Sequence, residues 1–151
     1  NNKDFFKILT DAHTGEITEQ QITDAWNSML LIWRNESLSF LKRLSAHYKI
    51  FLLSNTNAVH EEAFNNSLKV QPGLVSIAPL FTKAYYSHKI NLRKPDASVF
   101  EFVLKDAKIN AEETLFIDDS ANNIKTADSL DFKTHLLAAG EKVEDLRYDL
   151  Y

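Results

Sequence analysis

Three clusters of polar side chains follow apolar or extended segments and contain the groups of this sequence that could do chemistry. Ser54 and Asn55 follow an apolar run, and a hydroxyl beside backbone N–H groups can hold a phosphoryl oxygen. Lys94 carries a cation that can neutralise a phosphate or a carboxylate. Asp118 and Asp119 are adjacent carboxylates, which repel each other unless a cation neutralises them, and their oxygens suit Mg²⁺.

Each cluster also has a simpler structural interpretation. Serine and asparagine are common in ordinary turns, and a single lysine is usually solvated. An aspartate before a helix can act as its N-cap, which would explain one of Asp118 and Asp119 but leaves the other unexplained. Taken one at a time, the clusters therefore do not decide between a turn and a site.

Helical and extended segments alternate from residue 35 onward. Apolar spacing predicts helices from residue 35, near 57–67, at 96–107 and around 121–127, and apolar or extended runs predict strands at 49–54, 83–87, 114–117 and 132–137. This alternation predicts an α/β fold, a Rossmann-like parallel sheet with helices on both faces. Functional groups gather at the carboxyl edge of such a sheet, where all three clusters are predicted to lie.

The first thirty or so residues are predicted to be all helical. A short helix should end near residues 13–15, and apolar spacing predicts a second helix over 18–33 with a capping box of Thr18 and Gln21. Asn35 is a plausible N-cap for the helix that follows. We therefore place the domain boundary near Arg34 and Asn35.

Composition excludes several classes of function. The net charge of -4, without a basic run, argues against a nucleic-acid partner. The absence of cysteine excludes disulfides and thiolate metal sites and fits the cytoplasm as the compartment. No apolar stretch approaches the roughly 20 residues that a membrane span needs, so no membrane association is expected.

The order and spacing of the three clusters resemble the signature motifs of the haloacid dehalogenase-like superfamily over residues 35–139. Ser54 resembles the hydroxyl residue of its second motif, Lys94 in Arg-Lys-Pro-Asp the lysine of its third, and Asp118 and Asp119 its acidic fourth. The subgroup with a small helical cap is the most similar. The resemblance implies part of a cap at residues 1–33 and an α/β core at 34–151.

The resemblance also implies a function. The similar subgroup includes sugar-phosphate phosphatases, and the resemblance implies a Mg²⁺-dependent phosphohydrolase that acts on a small phosphorylated metabolite through an aspartyl-phosphate. It implies Asp119 as the direct Mg²⁺ ligand and Asp118 as the partner of Lys94. Ser54, Asn55 and Lys94 would bind the phosphoryl group, with Asn55 contributing through its backbone or its amide.

Two residues depart from the family pattern, and one motif is absent. Asn123 stands where many members keep a second acid, and Asn91 where relatives often have glycine, although asparagine accepts positive φ. No Asp-x-Asp occurs in the 151 residues. Because the resemblance places that motif on the central strand before the cap, we expect it upstream, and we expect a gap of close to 10 Å between the strands that end at Ser54 and Ile117.

Two other functions fit parts of the pattern. A 2-haloacid dehalogenase resembles this sequence at Ser54, Asn55 and Lys94, but it usually lacks two adjacent acids in the fourth motif. A non-catalytic binding protein with this fold is the alternative if no nucleophile exists. Four further residues lie in segments that could border the site, although each is more often structural: His60, Tyr85, Tyr86 and His88.

Overall fold

The computed structural model describes residues 2–68, 76–146 and 148, in which helices alternate with short strands. The helices are α1 Asn2–Ala12, α2 Glu19–Asn27, α3 Asn35–Leu44, α4 Ala58–Leu68, α5 Ser87–Ile90, α6 Ala97–Ala107 and α7 Ala121–Asp128. The strands are β1 Phe51–Ser54, β2 Lys83–Tyr86, β3 Leu115–Asp118 and β4 Lys133–Leu136. Short 3₁₀ turns lie at Ala78–Leu80, Ala111–Glu113 and Val143–Asp145.

The strands form two parallel pairs. β1 pairs with β2 so that Ser54 lies opposite Tyr86, and β3 pairs with β4 so that Asp118 lies opposite Leu136. Parallel strands joined through helices confirm the predicted α/β class. Ser54 is the last residue of β1 and Asp118 the last residue of β3, so each lies at the carboxyl end of its strand.

The two strand pairs are separate sheets in the described part of the chain. β1 and β3 are not hydrogen-bonded to each other, and each has a single strand partner among the described strands. A direct β1–β3 ladder would have contradicted the expected central strand, and the structure does not have one. The width of the gap and the identity of the segment that fills it stay predictions.

The chain divides into two compact units. The first comprises residues 1–33 and 56–77, and the second comprises 34–55 and 78–151. Residues 56–77, which the sequence-based division left with the α/β core, group with the first unit because α4 packs on α2. The Trp33 indole Nε1 donates to the Phe64 carbonyl at 2.9 Å, and His60 Nε2 lies 3.1 Å from the Trp26 carbonyl oxygen. The role of residues 1–33 as a cap stays a prediction.

An aromatic core fixes β3 in the second unit. Phe100 of α6 is 1% exposed, and its ring centroid lies 5.1 Å from that of Phe116 and 5.9 Å from that of Phe132. Val99 and Ala127 complete this buried cluster. Since Phe116 lies two residues before Asp118, the packing of the core sets the position of the acidic strand end.

The helix predicted over residues 18–33 is too long. α2 ends at Asn27, where a turn begins and the Ser28 hydroxyl donates to the Ala25 carbonyl at 2.7 Å. The apolar residues beyond the turn do not share a buried face, and Leu31 is 92% exposed.

No described helix has the length and hydropathy that crossing a bilayer requires.

The helix caps follow the sequence in part. The capping box of Thr18 and Gln21 is present, as predicted. The prediction of Asn35 as N-cap is wrong by one residue, because Arg34 has the extended backbone of the cap position and Asn35 is already helical. Asp96 occupies the N-cap position of α6, but its side chain makes no capping hydrogen bond there.

Tyr85 is a structural residue of β2. It is 1% exposed, and its hydroxyl donates to Asp106 Oδ2 at 2.6 Å, while Lys83 Nζ donates to the same oxygen at 2.6 Å. Burial, reinforced by the bond to the Asp106 carboxylate, raises the pKa of Tyr85. The phenol therefore stays protonated and ties β2 to α6.

We expect Tyr85→Phe to lower the free energy of unfolding by about 1 kcal/mol, because one hydrogen bond to a carboxylate is lost without a cavity. Urea unfolding would measure the difference. Tyr48→Phe is the matched control, since Tyr48 is 62% exposed and should tolerate the change. Equal stability of Tyr85→Phe and the wild type would contradict this role.

Candidate active site at the strand ends

An ion pair between Lys94 and Asp118 forms the centre of the site. Lys94 Nζ lies 2.6 Å from Asp118 Oδ2, and the two side chains are 11% and 7% exposed. Lys94 comes from the loop between α5 and α6, and Asp118 is the last residue of β3. The ammonium group also lies 5.7 Å from the centroid of the Phe116 ring. The third and fourth clusters of the sequence pattern are therefore in direct contact.

Asp118 is held by two further donors. The Ser120 backbone N–H and the Asn123 amide Nδ2 each donate to Oδ1 at 2.9 Å. Burial opposes ionisation, but the bonds from Lys94, Asn123 and Ser120 outweigh it and hold the pKa of Asp118 below its ordinary value. Asp118 is therefore ionised, and both of its oxygens already accept hydrogen bonds.

Asp119 differs from Asp118 in its exposure and in its partners. Its side chain is exposed, and no described residue donates a hydrogen bond to it or forms an ion pair with it. A carboxylate that is free at a strand end can bind a metal ion, and Mg²⁺ commonly takes one or two protein carboxylates together with water and phosphate oxygens. Among the described residues no group of three or more His, Cys, Asp and Glu side chains could hold a metal ion, so Asp119 could contribute one carboxylate ligand without a second one beside it.

The first cluster reaches Lys94 through Asn55. The Asn55 amide Nδ2 donates to the Lys94 carbonyl at 2.8 Å, and the Lys94 N–H donates to Asn55 Oδ1 at 2.9 Å. Ser54, the last residue of β1, is half-buried, and its hydroxyl makes no hydrogen bond to a described residue. Asn55 is therefore bonded to Lys94, and Lys94 is bonded to Asp118. Ser54 and Asp119 are the sequence neighbours of Asn55 and Asp118.

The sequence pattern missed how three of these residues are used. It did not foresee the Ser120 N–H or the Asn123 amide as donors to Asp118, although an aspartate two residues before a serine N-cap is a common turn signal. It did not foresee that the Asn55 amide contacts the backbone of Lys94. Asn91 adopts φ 55°, as expected where relatives have glycine.

A protein-family comparison identifies the chain. The model of the haloacid dehalogenase-like hydrolases matches residues 2–131, which is most of the sequence. The chain belongs to the haloacid dehalogenase-like hydrolase family. The matched range includes Ser54, Lys94, Asp118 and Asp119.

Several relatives of this haloacid dehalogenase-like chain are known. A D-ribitol-5-phosphate phosphatase of Bacteroides thetaiotaomicron is 30% identical over 135 residues, covering 87% of this chain and 63% of its own length. A haloacid dehalogenase family enzyme of the same species, crystallised with magnesium and inorganic phosphate, superposes with a TM-score of 0.83 at 32% identity, over 93% of this chain and 71% of that one. A predicted hydrolase of the family from Porphyromonas gingivalis gives 0.82 at 32% identity, over 89% and 65%. The chain thus spans less than two thirds of the curated phosphatase.

Proposed function

We propose that the protein is a Mg²⁺-dependent phosphatase of small phosphorylated metabolites, which works through an aspartyl-phosphate whose nucleophile lies outside residues 1–151. The observation that carries the proposal is the buried pair of Lys94 and Asp118 beside the partner-free carboxylate of Asp119. Such a centre offers a fixed cation and a free metal-binding oxygen at one edge, and phosphoryl transfer needs both.

Each residue has a distinct role in this proposal. Asp119 would hold Mg²⁺, which supplies positive charge to the phosphoryl oxygens when bound. Lys94 carries the second positive charge, and Asp118 keeps its ammonium group in place. The Ser54 hydroxyl, which has no described partner, would donate to a phosphoryl oxygen.

The nucleophile is proposed to come from a strand between β1 and β3. Both strands have a free edge among the described residues, and unpaired backbone groups inside a sheet cost about 1–3 kcal/mol each. A parallel strand in this place would end beside Ser54 and Asp118. An aspartate at its end would therefore face the phosphoryl group that Lys94 attracts.

The proposed substrate class is supported by a relative and by a structural neighbour. The chain is 30% identical to a D-ribitol-5-phosphate phosphatase, and a structure with a TM-score of 0.83 was crystallised with magnesium and inorganic phosphate. We therefore propose phosphate monoesters of open-chain polyols and small sugars as substrates.

The test is phosphate release by the intact natural protein. We expect hydrolysis of D-ribitol 5-phosphate or a related sugar or polyol phosphate with Mg²⁺, and loss of that activity in EDTA that Mg²⁺ restores. Chloride release from 2-chloropropionate is the matched assay for a dehalogenase and should be absent. No phosphate release from any monoester, or equal rates in EDTA, would contradict the proposal.

A further inference from the structure

We infer that Asn55 is a positioning residue that fixes the backbone of Lys94, and that its amide does not bind the substrate. The inference rests on the proposed function, because it assigns how the cation of that site is held. It excludes the amide contact to the phosphoryl group, one of the two alternatives that the family resemblance implies for Asn55, and leaves a contact through the backbone open.

The Asn55 amide makes two hydrogen bonds to one residue. Its oxygen accepts from the Lys94 N–H at 2.9 Å, and its nitrogen donates to the Lys94 carbonyl at 2.8 Å. A planar amide that uses its donor and its acceptor on the same residue fixes both the distance and the orientation of that residue. The two bonds use one of the two amide N–H groups and one acceptor site of the oxygen, so contacts to Lys94 orient the amide.

The need for such a contact follows from where Lys94 lies. Residues 91–96 form a loop without strand pairing, whereas Asn55 directly follows β1, whose four residues all pair with β2. The two hydrogen bonds therefore attach the loop to the end of a paired strand across 39 positions of sequence. The contact therefore fixes the position of Lys94 in the loop as closely as strand pairing fixes a residue at a strand end.

Lys94 is consequently held at both ends of its side chain. Asn55 fixes the backbone, and Asp118 accepts from Nζ at 2.6 Å. The ammonium group stays bonded to Asp118 if Asn55 is truncated, but the backbone that carries it loses its attachment. Small displacements of a catalytic group by about 1 Å can cost roughly a hundredfold in rate.

The test uses Asn55→Ala and the isosteric Asn55→Asp in the intact protein. We expect kcat to fall about 10- to 100-fold in Asn55→Ala with KM within about threefold of wild type, because the cation is displaced and no substrate contact is lost. Asn55→Asp, which loses the bond donated to the Lys94 carbonyl and adds a negative charge while it keeps the acceptor for the Lys94 N–H, should also lower kcat. Asn110→Ala, which removes an exposed amide bonded to Glu113, is the matched control and should leave kcat unchanged.

A double-mutant cycle shows whether Asn55 acts through Lys94. In a Lys94→Met background, adding Asn55→Ala should change the residual kcat/KM by less than about twofold. A second measurement, hydrogen–deuterium exchange, does not need activity. The backbone N–H of Lys94 should exchange slowly in the wild type and at least about tenfold faster in Asn55→Ala.

Four results would overturn the inference: wild-type kcat in both Asn55 variants, a raised KM at unchanged kcat, additive effects in the double mutant, or unchanged exchange at Lys94. If the wild type releases no phosphate from any ester, the proposed function fails. The amide exchange then still decides whether Asn55 fixes Lys94.

Discussion

Replacing Lys94 by methionine is expected to lower kcat by about a thousandfold or more. The change removes the cation that pairs with Asp118 and with it the positive charge that the proposal places at the phosphoryl group. Loss of a single well-placed donor to a developing oxyanion costs about 10²- to 10³-fold, and a charged donor should lie at the upper end of that range. Methionine keeps the length and the apolar contacts of the side chain, so the loss reports on charge.

The Lys94→Met variant should also be less stable, because the Asp118 carboxylate loses its charge-compensating partner. We expect a decrease of about 2 kcal/mol in the free energy of unfolding, since the Ser120 N–H and the Asn123 amide remain bonded to Asp118. Steady-state kinetics and urea unfolding measure the two effects. Lys125→Met, at an exposed lysine of α7, is the matched control and should change neither. Activity within tenfold of wild type in Lys94→Met would contradict its catalytic role.

Replacing Asp119 by alanine is expected to abolish turnover at ordinary Mg²⁺ concentrations. The Asp119 carboxylate has no described partner, and in the proposed function it is the direct ligand of the metal ion. Removal of one direct carboxylate from a site with few protein ligands should cost several kcal/mol of binding or transition-state free energy, which is at least about a thousandfold in rate.

Stability should not change in Asp119→Ala, because the side chain is exposed and makes no described hydrogen bond. This separates it from Lys94→Met, in which activity and stability fall together. Calorimetric titration with Mg²⁺ and hydrolysis of an aryl phosphate measure the loss, and Asp128→Ala on the exposed face of α7 is the control. Near-normal turnover of the aryl phosphate by Asp119→Ala would refute the metal role.

The sequence was most informative where chemistry and periodicity coincide. The strands before Ser54 and Asp118 are short apolar runs, and the polar residues after them are the positions where a parallel sheet exposes side chains at its edge. Both features are local, so the α/β class, the strand positions and the clusters could be predicted. The capping box of Thr18 and Gln21 is local in the same way.

The overlong helix ended at a local turn, whereas the omissions depend on contacts between distant residues. The apolar spacing after Asn27 could continue a helix, but Ser28 bonds back to Ala25 and the chain turns away. The amide of Asn55 meets Lys94 only because β1 and the loop before α6 approach each other across 39 residues. Likewise, Asp106 of α6 meets Tyr85 of β2 across 21 residues. Periodicity contains no information about such pairings.

A crystal structure of the intact natural protein with Mg²⁺ and inorganic phosphate would test the central claim most directly. We predict the metal ion on the Asp119 carboxylate and a phosphate oxygen within hydrogen-bond distance of both Lys94 Nζ and the Ser54 hydroxyl. We also predict that a strand from outside residues 1–151 lies between β1 and β3 and ends in an aspartate beside the phosphate. A metal ion bound away from Asp119, or a direct β1–β3 ladder with no carboxylate facing the phosphate, would contradict this account.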